Sequence, residues 1–371
     1  MRREQLLYWI TLLETPGIGL HRARRLQVSM ATWEAARECA ERDWQALGLS
    51  PESVRSLCGA LRDARYLRDV ERVEASGVMY VLDTDDEYPP LLKEIATPPP
   101  FLFYRGVFTA PSSGVAVVGT RKCTSYGRKV AFDISRALAQ SGMQIVSGLA
   151  RGVDQAAHEG ALAAAGCTVA VLGSGVNRVY PPENQRLADR IAGEGGAVLS
   201  EFLPWVGPDR YHFPQRNRII SGLCGAVVVV EADRRSGSLI TAAFALDQNR
   251  DVYAVPGSIF SATSRGANEL IAAGATPVLS TEDITTQLSG RARSSDPSAP
   301  TAVRSGSPVS AVDAELLREL GTGTQSVSDL LAAPAFAHLT AAELGAQLTM
   351  LELQGSIRRG VDGRFFLGGS H

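Results

Sequence analysis

Seven short runs of β-branched and small apolar residues, each separated from the next by a helix-length stretch, constrain this chain more than any other feature. The runs fall at 115–118, 144–146, 168–172, 197–199, 226–230, 252–255 and 277–279. Between them the spacing predicts helices near 125–141, 151–165, 183–194, 214–223, 238–249 and 265–274. A strand apolar on both faces has no side to turn to water, and a helix between each pair supplies the cover. The expected fold class is therefore α/β, an extended Rossmann-like parallel sheet domain over residues 81–290 with helices on both faces.

The flanks have a different texture. Residues 1–80 read as short helices, with Leu6, Leu7, Ile10 and Leu13, then Leu57, Leu61, Leu67, Val70 and Val73 at helical spacing. They predict a small all-α, SAM-like (helix-hairpin-helix-like) domain. Its hairpin, Thr15-Pro16-Gly17-Ile18-Gly19, has glycines that would let backbone N–H groups hold a phosphate. One short G-x-G equally makes a turn that packs two helices, and we read it that way. Residues 291–308 are rich in Ser, Pro and Ala and read as a flexible linker. Residues 309–371 resume with Leu316, Leu317, Leu320, Leu330, Leu344, Leu348 and Leu351, then two short strands around Asp362-Gly363. Three helices and a wing make a winged-helix domain. Its presumed recognition helix, 340–354, carries Glu343 and Glu352 and neither Lys nor Arg, which argues against insertion into a major groove. Arg358, Arg359 and Arg364 on the wing suit contact with DNA or with protein.

Composition narrows the partners. The 371 residues hold 37 Lys+Arg against 39 Asp+Glu, a net charge of −2, so no bulk basicity marks a tail-driven polyanion binder. The charge is unevenly placed: residues 101–290 carry 17 basic and 15 acidic groups, residues 1–100 carry 13 and 16. Five scattered Cys, none in a C-x-x-C, and unclustered His fit reduced thiols in a cytoplasmic protein and no zinc site. The N-terminus reads as a helix rather than a leader, because Glu14 follows its apolar run and no small-residue cleavage site is present. No apolar run reaches the ~18 residues of a membrane span.

In an open parallel sheet, ligands bind beyond the carboxyl ends of the strands. The loops there read Gly119-Thr120-Arg121-Lys122; Ser147-Gly148-Leu149-Ala150-Arg151-Gly152-Val153-Asp154; Gly173-Ser174-Gly175-Val176-Asn177-Arg178; and Arg234-Arg235-Ser236-Gly237-Ser238. Cations and hydroxyls at helix entrances suit phosphate oxygens. None of these loops is G-x-G-x-x-G or a Walker sequence, so no dinucleotide or NTP cofactor is expected. Asp154 and His158, four apart on one helix, could form an acid–base pair; the reading preferred is a helix-start Asp and a packed His. The stretch 210–223 places Arg210, Arg216 and Arg218 beside Tyr211, Phe213 and Asn217. Charge for a sugar-phosphate chain interleaved with rings for bases is the profile of a single-strand binder.

These phrases resemble the DprA/Smf family of bacterial DNA-processing proteins of natural transformation. The resemblance spans residues 88–283 and includes Val118-Gly119-Thr120-Arg121, Ser147 to Asp154, Tyr180-Pro181-Pro182-Glu183-Asn184, Leu199-Ser200-Glu201, Phe213 to Leu223, Ser236 to Ala242 and Ala254-Val255-Pro256-Gly257. It implies a homodimeric protein that binds single-stranded DNA and delivers it to the recombinase RecA, with no catalysis, cofactor or metal. It assigns phosphate gripping to Arg121 with Thr120, a phosphate contact to Arg210 and base stacking to Phe213. Lesser contacts are implied for Arg178, Arg218, Ser236 and Ser238. The chain departs from the family at Arg210, where Lys is expected at least as often. The competing class is a Rossmann-fold nucleoside-monophosphate phosphoribohydrolase. Its P-G-G-x-G-T-x-x-E signature would supply a catalytic Glu, but the corresponding Ser236 to Ala243 stretch has no carboxylate.

Overall fold

The structure, a computed structural model, describes residues 2–110 and 114–294, then 311–320, 326–331, 333–336 and short pieces between 340 and 367. The chain divides into two compact units, Met1–Ser295 and Asp296–His371.

The first unit opens with six helices: α1 (Arg2–Glu14), α2 (Leu20–Ser29), α3 (Trp33–Glu38), α4 (Glu41–Ala46), α5 (Pro51–Arg62) and α6 (Ala64–Ala75). Local chemistry sets their starts. The Ser50 hydroxyl accepts from the Ser53 amide and Pro51 opens α5, a side-chain cap followed by a residue with its φ already helical. Helix α1 is buried from Leu6 through Leu12, so it is wrapped on all sides. The turn holding Gly17 packs against Ser53 of α5, and Arg22 donates to the Gly17 carbonyl at 2.7 Å. The apolar core of these helices is not separate from the rest: Leu6, Trp9, Leu57 and Val70 share one cluster with Phe101, Phe103, Leu172 and Val198.

The chain continues as β1 (Met79–Leu82), α7 (Pro90–Lys93), β2 (Phe101–Gly106), β3 (Gly114–Val118), α8 (Ser125–Gln140), β4 (Gln144–Ser147), α9 (Val153–Ala163), β5 (Thr168–Val171), α10 (Gln185–Gly193) and β6 (Ala197–Ser200). It ends with α11 (His212–Gly222), β7 (Ala226–Val229), α12 (Gly237–Asp247), β8 (Asp251–Ala254), α13 (Arg265–Ala272), β9 (Thr276–Pro277) and α14 (Thr281–Ser294). Nine strands form one sheet of order β1-β2-β6-β5-β4-β3-β7-β8-β9. Strands β3 to β9 are parallel, and β3 to β7 are buried along their whole length. Alternate residues feed opposite faces. Val115 and Val117 pack with Ile134, Ile145 and Val228, whereas Ala116 and Val118 pack with Val146, Ile219 and Val227.

An antiparallel segment corrects the expectation of a wholly parallel sheet. Strands β1 and β2 flank the prolines at 89–90 and 98–100 and pair antiparallel, with each other and, through β2, with β6. Only the four-residue α7 lies between them, too little helix for a parallel crossover. The outer edge of β1 is blunted by Arg2, which donates to the Tyr80 carbonyl, and by Asp85, which accepts from the Leu82 amide. None of the described helices is long and apolar enough to cross a membrane.

Strand order places the functional edge. From β3 the chain moves one way through β4, β5 and β6, and after β7 it moves the other way through β8 and β9. The carboxyl ends of β3 and β7 thus flank a topological switch point, where adjacent loops diverge and leave a crevice.

The second unit contains α15 (Ala311–Leu320), α16 (Val327–Leu331) and an antiparallel hairpin of β10 (Ile357–Arg359) and β11 (Phe365–Leu367). Leu316, Leu330, Phe336, Leu348 and Ile357 share its core. Helix α14 extends four residues into the expected linker, whose remainder lies outside the described residues, as does most of the expected recognition helix at 340–354.

Candidate nucleic-acid interface

An open cleft of about 830 Å³ occupies the switch point. Thr120, Arg121 and Lys122 after β3, Arg210 and Phe213 at the start of α11, and Ser236, Gly237 and Ser238 at the start of α12 line it. Six of the eight residues singled out from sequence therefore converge, from three segments spread over more than a hundred positions.

Each segment is held by its own hydrogen bonds. The Thr120 amide donates to the Glu231 carbonyl at 2.7 Å, tying the β3 loop to the end of β7. The buried Glu231 carboxylate accepts from the Thr124 amide and hydroxyl, at 2.9 and 2.7 Å, while Thr124 caps α8 by accepting from Gly127. A loop anchored on both sides leaves Arg121 and Lys122 exposed between the anchors. Ser236 caps α12, its hydroxyl 2.7 Å from that of Ser238. The Asn217 side chain donates to the Gly237 carbonyl at 3.2 Å and so joins α11 to the start of α12.

Phe213 is half-buried. The Arg121 guanidinium stands 5.4 Å from its ring centre, and the Tyr180 ring lies 5.6 Å away at 50°. Beneath it is Gly173, where an added Cβ would come 2.8 Å from the Phe213 ring. Arg210 lies along the neighbouring Tyr211 ring, 4.6 Å from its centre, and donates to the Tyr211 hydroxyl at 2.6 Å.

Below the cleft is a buried polar floor. Arg216 donates to the Gly148 carbonyl at 2.8 Å, to the Val171 carbonyl and to Asn217, so one guanidinium binds the ends of β4 and β5. A Cβ at Gly148 would sit 2.6 Å from that guanidinium, which is why glycine stands there. Asp154 accepts from the Gly148 and Ala150 amides at 3.2 and 3.3 Å. Burial pushes the Asp154 carboxyl up, opposed by Arg216 and by these amides. Burial also lowers Arg216 to about 10, with Asp154 opposing and Arg121 adding repulsion, which leaves it protonated at neutral pH. His158 is fully buried and lowered to about 3, first by burial and then by Arg216. Its Nδ1 lies 2.8 Å from the Thr168 hydroxyl, while Asp154 is spent on backbone amides. The two residues are structural groups and share no contact that would make them an acid–base pair.

Two sequence-derived residues fall outside the cleft. Arg218 is 5% exposed, and its guanidinium donates to the Glu201 carboxylate at 2.6 Å, away from the residues that line the cleft. It lies two positions after Arg216, and both point inward while Arg210 stays out. Arg178 is exposed on the loop after β5, beyond the cleft lining. Tyr180 and Arg235, which sequence reasoning did not select, do line it. Tyr180 had a usable signal, since it opens the Tyr180-Pro181-Pro182-Glu183-Asn184 phrase.

The fold and the cleft define a doubly wound α/β protein whose switch-point crevice is furnished with cations, hydroxyls and a ring. Within that class, the chain belongs to the DNA recombination-mediator protein A family, whose family model matches residues 79–289. It is 36% identical over 301 residues to protein Smf of Synechocystis, covering 78% of this chain and 74% of that one. To the DNA processing protein DprA of Streptococcus pneumoniae it is 47% identical over 225 residues, covering 60% and 77%. The X-ray structure of DNA processing protein A from that organism superimposes with a TM-score of 0.65 at 36% identity, covering 76% of this chain and 97% of the other. A Helicobacter pylori structure, described as giving insight into the single-stranded DNA binding mode of its DNA processing protein A, matches with a TM-score of 0.53 at 28% identity, covering 58% and 97%.

Proposed function

We propose that the cleft binds single-stranded DNA without regard to sequence, and that the protein protects incoming strands and loads the recombinase RecA on them in natural transformation or DNA repair. In this reading it acts as a cytoplasmic homodimer and performs no catalysis. The observation that carries it is the convergence of Thr120, Arg121, Arg210, Phe213, Ser236 and Ser238 around one open cleft. Arg121 and Arg210 supply forked donors to phosphate, the two serines supply hydroxyls at a helix start, and Phe213 supplies a ring. Arg178 extends the charge along the adjacent loop. A duplex holds its bases stacked inside and offers none to Phe213, so the geometry favours an unpaired strand. The single-stranded DNA binding mode named for the Helicobacter pylori relative supports the same reading.

The test is a titration of the full-length protein with oligo-dT and with a duplex of equal length across a range of salt. Tighter binding of the single strand, with affinity falling steeply and linearly on a log–log plot against salt, is expected. Equal affinity for the two forms would overturn the proposal. For the RecA step, filament growth on strands coated with a single-strand-binding protein should accelerate when this protein is added, and an unchanged lag would remove that part alone.

A further inference from the structure

Phe213, the ring assigned to stacking, is wedged among Gly173, Tyr180 and Arg121. Beside the cleft, a more openly presented ring is that of Tyr211, two positions earlier, which is 67% exposed. Its backbone is fixed in place. The Tyr211 amide donates to the Asp209 carboxylate at 2.8 Å and the His212 amide to the Asp209 carbonyl at 3.1 Å. The next side chain, His212, turns inward and stacks on Phe202 at 3.9 Å and 23°. Three successive side chains therefore diverge: Tyr211 to solvent, His212 to the interior, Phe213 to the cleft. Arg210 lies along one side of the Tyr211 ring and holds its hydroxyl, and no second ring or cation stands over Tyr211 among the described residues.

A large, rigid and exposed ring contributes little to folding, and most single exposed apolar residues need no explanation. Tyr211 differs in position. It adjoins a cleft-lining cation, on a segment pinned at both ends, just outside the cleft lining. We infer that Tyr211 is a second stacking platform, taking an unpaired nucleobase from the nucleotide that leaves the cleft past Arg210. The inference rests on the single-strand reading above and adds to it a direction of exit and a residue outside the cleft. Arg210 then serves twice, supporting the ring on one side and offering its remaining N–H donors to the phosphate between the two stacked bases. Stacking on a ring is indifferent to base identity, so the platform lengthens the contact without adding sequence preference.

The experiment compares wild type, Tyr211→Ala and Tyr211→Phe on two probes of equal length and charge, oligo-dT and a fully abasic oligomer. If Tyr211 stacks a base, Tyr211→Ala weakens oligo-dT binding by about tenfold, the order set by base–aromatic stacking. It leaves abasic binding within about twofold and the salt slope unchanged, because no phosphate contact is lost. Tyr211→Phe, which keeps the ring and loses the hydroxyl, retains oligo-dT affinity. Equal loss on both probes would show that Tyr211 acts by orienting Arg210, and no loss on either would show an idle ring; both results overturn the inference. If wild type fails to bind oligo-dT at all, the single-strand reading itself has failed, which the wild-type titration shows independently of the variants.

Discussion

Two acid–arginine combinations near the cleft are built in opposite ways, one through backbone groups and the other through a direct ion pair. Asp154 and Arg216 sit under its floor, each at most 6% exposed, and both are spent on backbone groups of the strand-end loops. Arg151, which borders the recess behind Phe213, and Glu183 are hydrogen-bonded to each other with about half of each side chain in water. Removing Arg216 takes the donor from buried strand-end carbonyls and the nearby opposing charge from Asp154. Removing one partner of the exposed pair simply returns the other to solvent. The floor therefore fixes the shape of the cleft, while the rim sets part of its charge, and substitutions should separate the two.

The largest effect is expected at the floor. Arg216→Met keeps much of the bulk but leaves the Gly148 and Val171 carbonyls without their donor and Asp154 without a nearby opposing charge, a loss of about 2–4 kcal/mol in urea unfolding at pH 7. A change below about 1 kcal/mol would mean that Arg216 does not hold the strand-end carbonyls as described. His158 comes next. It is neutral in the folded protein, and its folded value near 3 lies below the unfolded 6.5, so the unfolded chain takes up a proton first as pH falls. Its contribution is fully present above pH 6.5 and is lost as pH falls toward 3, by about 1.4 kcal/mol per pH unit within that window. His158→Asn should flatten the stability profile between pH 6.5 and 4.5 relative to wild type. Parallel profiles would place the acid sensitivity elsewhere.

At the cleft, Arg121→Ala should move binding and not folding. Oligo-dT affinity is expected to fall about 10- to 100-fold at low salt, and the log–log salt slope to shrink by about one. The melting temperature should stay within about 2 °C, because the exposed guanidinium has no ion-pair partner among the described residues. A large thermal shift would move Arg121 from the rim to the floor side of the comparison.

Much of this was legible in the sequence because sheet topology leaves a periodic trace. Runs such as 226–230 are apolar at every position, and a parallel strand covered on both faces has to be. Strands β1 and β2 were harder. Phe101-Leu102-Phe103-Tyr104 is strand-like too, but it lies outside the regular strand–helix alternation, directly after Pro98-Pro99-Pro100, and only pairing with β6 settles its role. The cleft residues were legible as phrases, since Gly119-Thr120-Arg121 and Ser236-Gly237-Ser238 have the composition of helix entrances. Side-chain direction was not. Arg210, Arg216 and Arg218 look alike in the sequence, and which of them reaches solvent depends on the pitch of α11 against β5 and on the position of Glu201. Tyr211 and Phe213 present the same difficulty, two residues apart at the start of one helix.

The smallest expected effect makes the sharpest test of the rim. Glu183 holds Arg151 by a side-chain hydrogen bond, which keeps the carboxyl below its usual range, and in water that pair contributes nothing dependable to folding. Glu183→Gln removes a negative charge and frees a guanidinium next to Arg121, Tyr180 and Phe213. Folding should be unchanged and oligo-dT affinity should rise, by about two- to threefold at low salt, with the gain vanishing above about 0.3 M as the Debye length shrinks. Arg151→Ala should do the reverse by a similar factor. If both variants weaken binding, the ion pair is holding the 147–154 loop in place, and the rim would share the structural role that the comparison assigns to the floor.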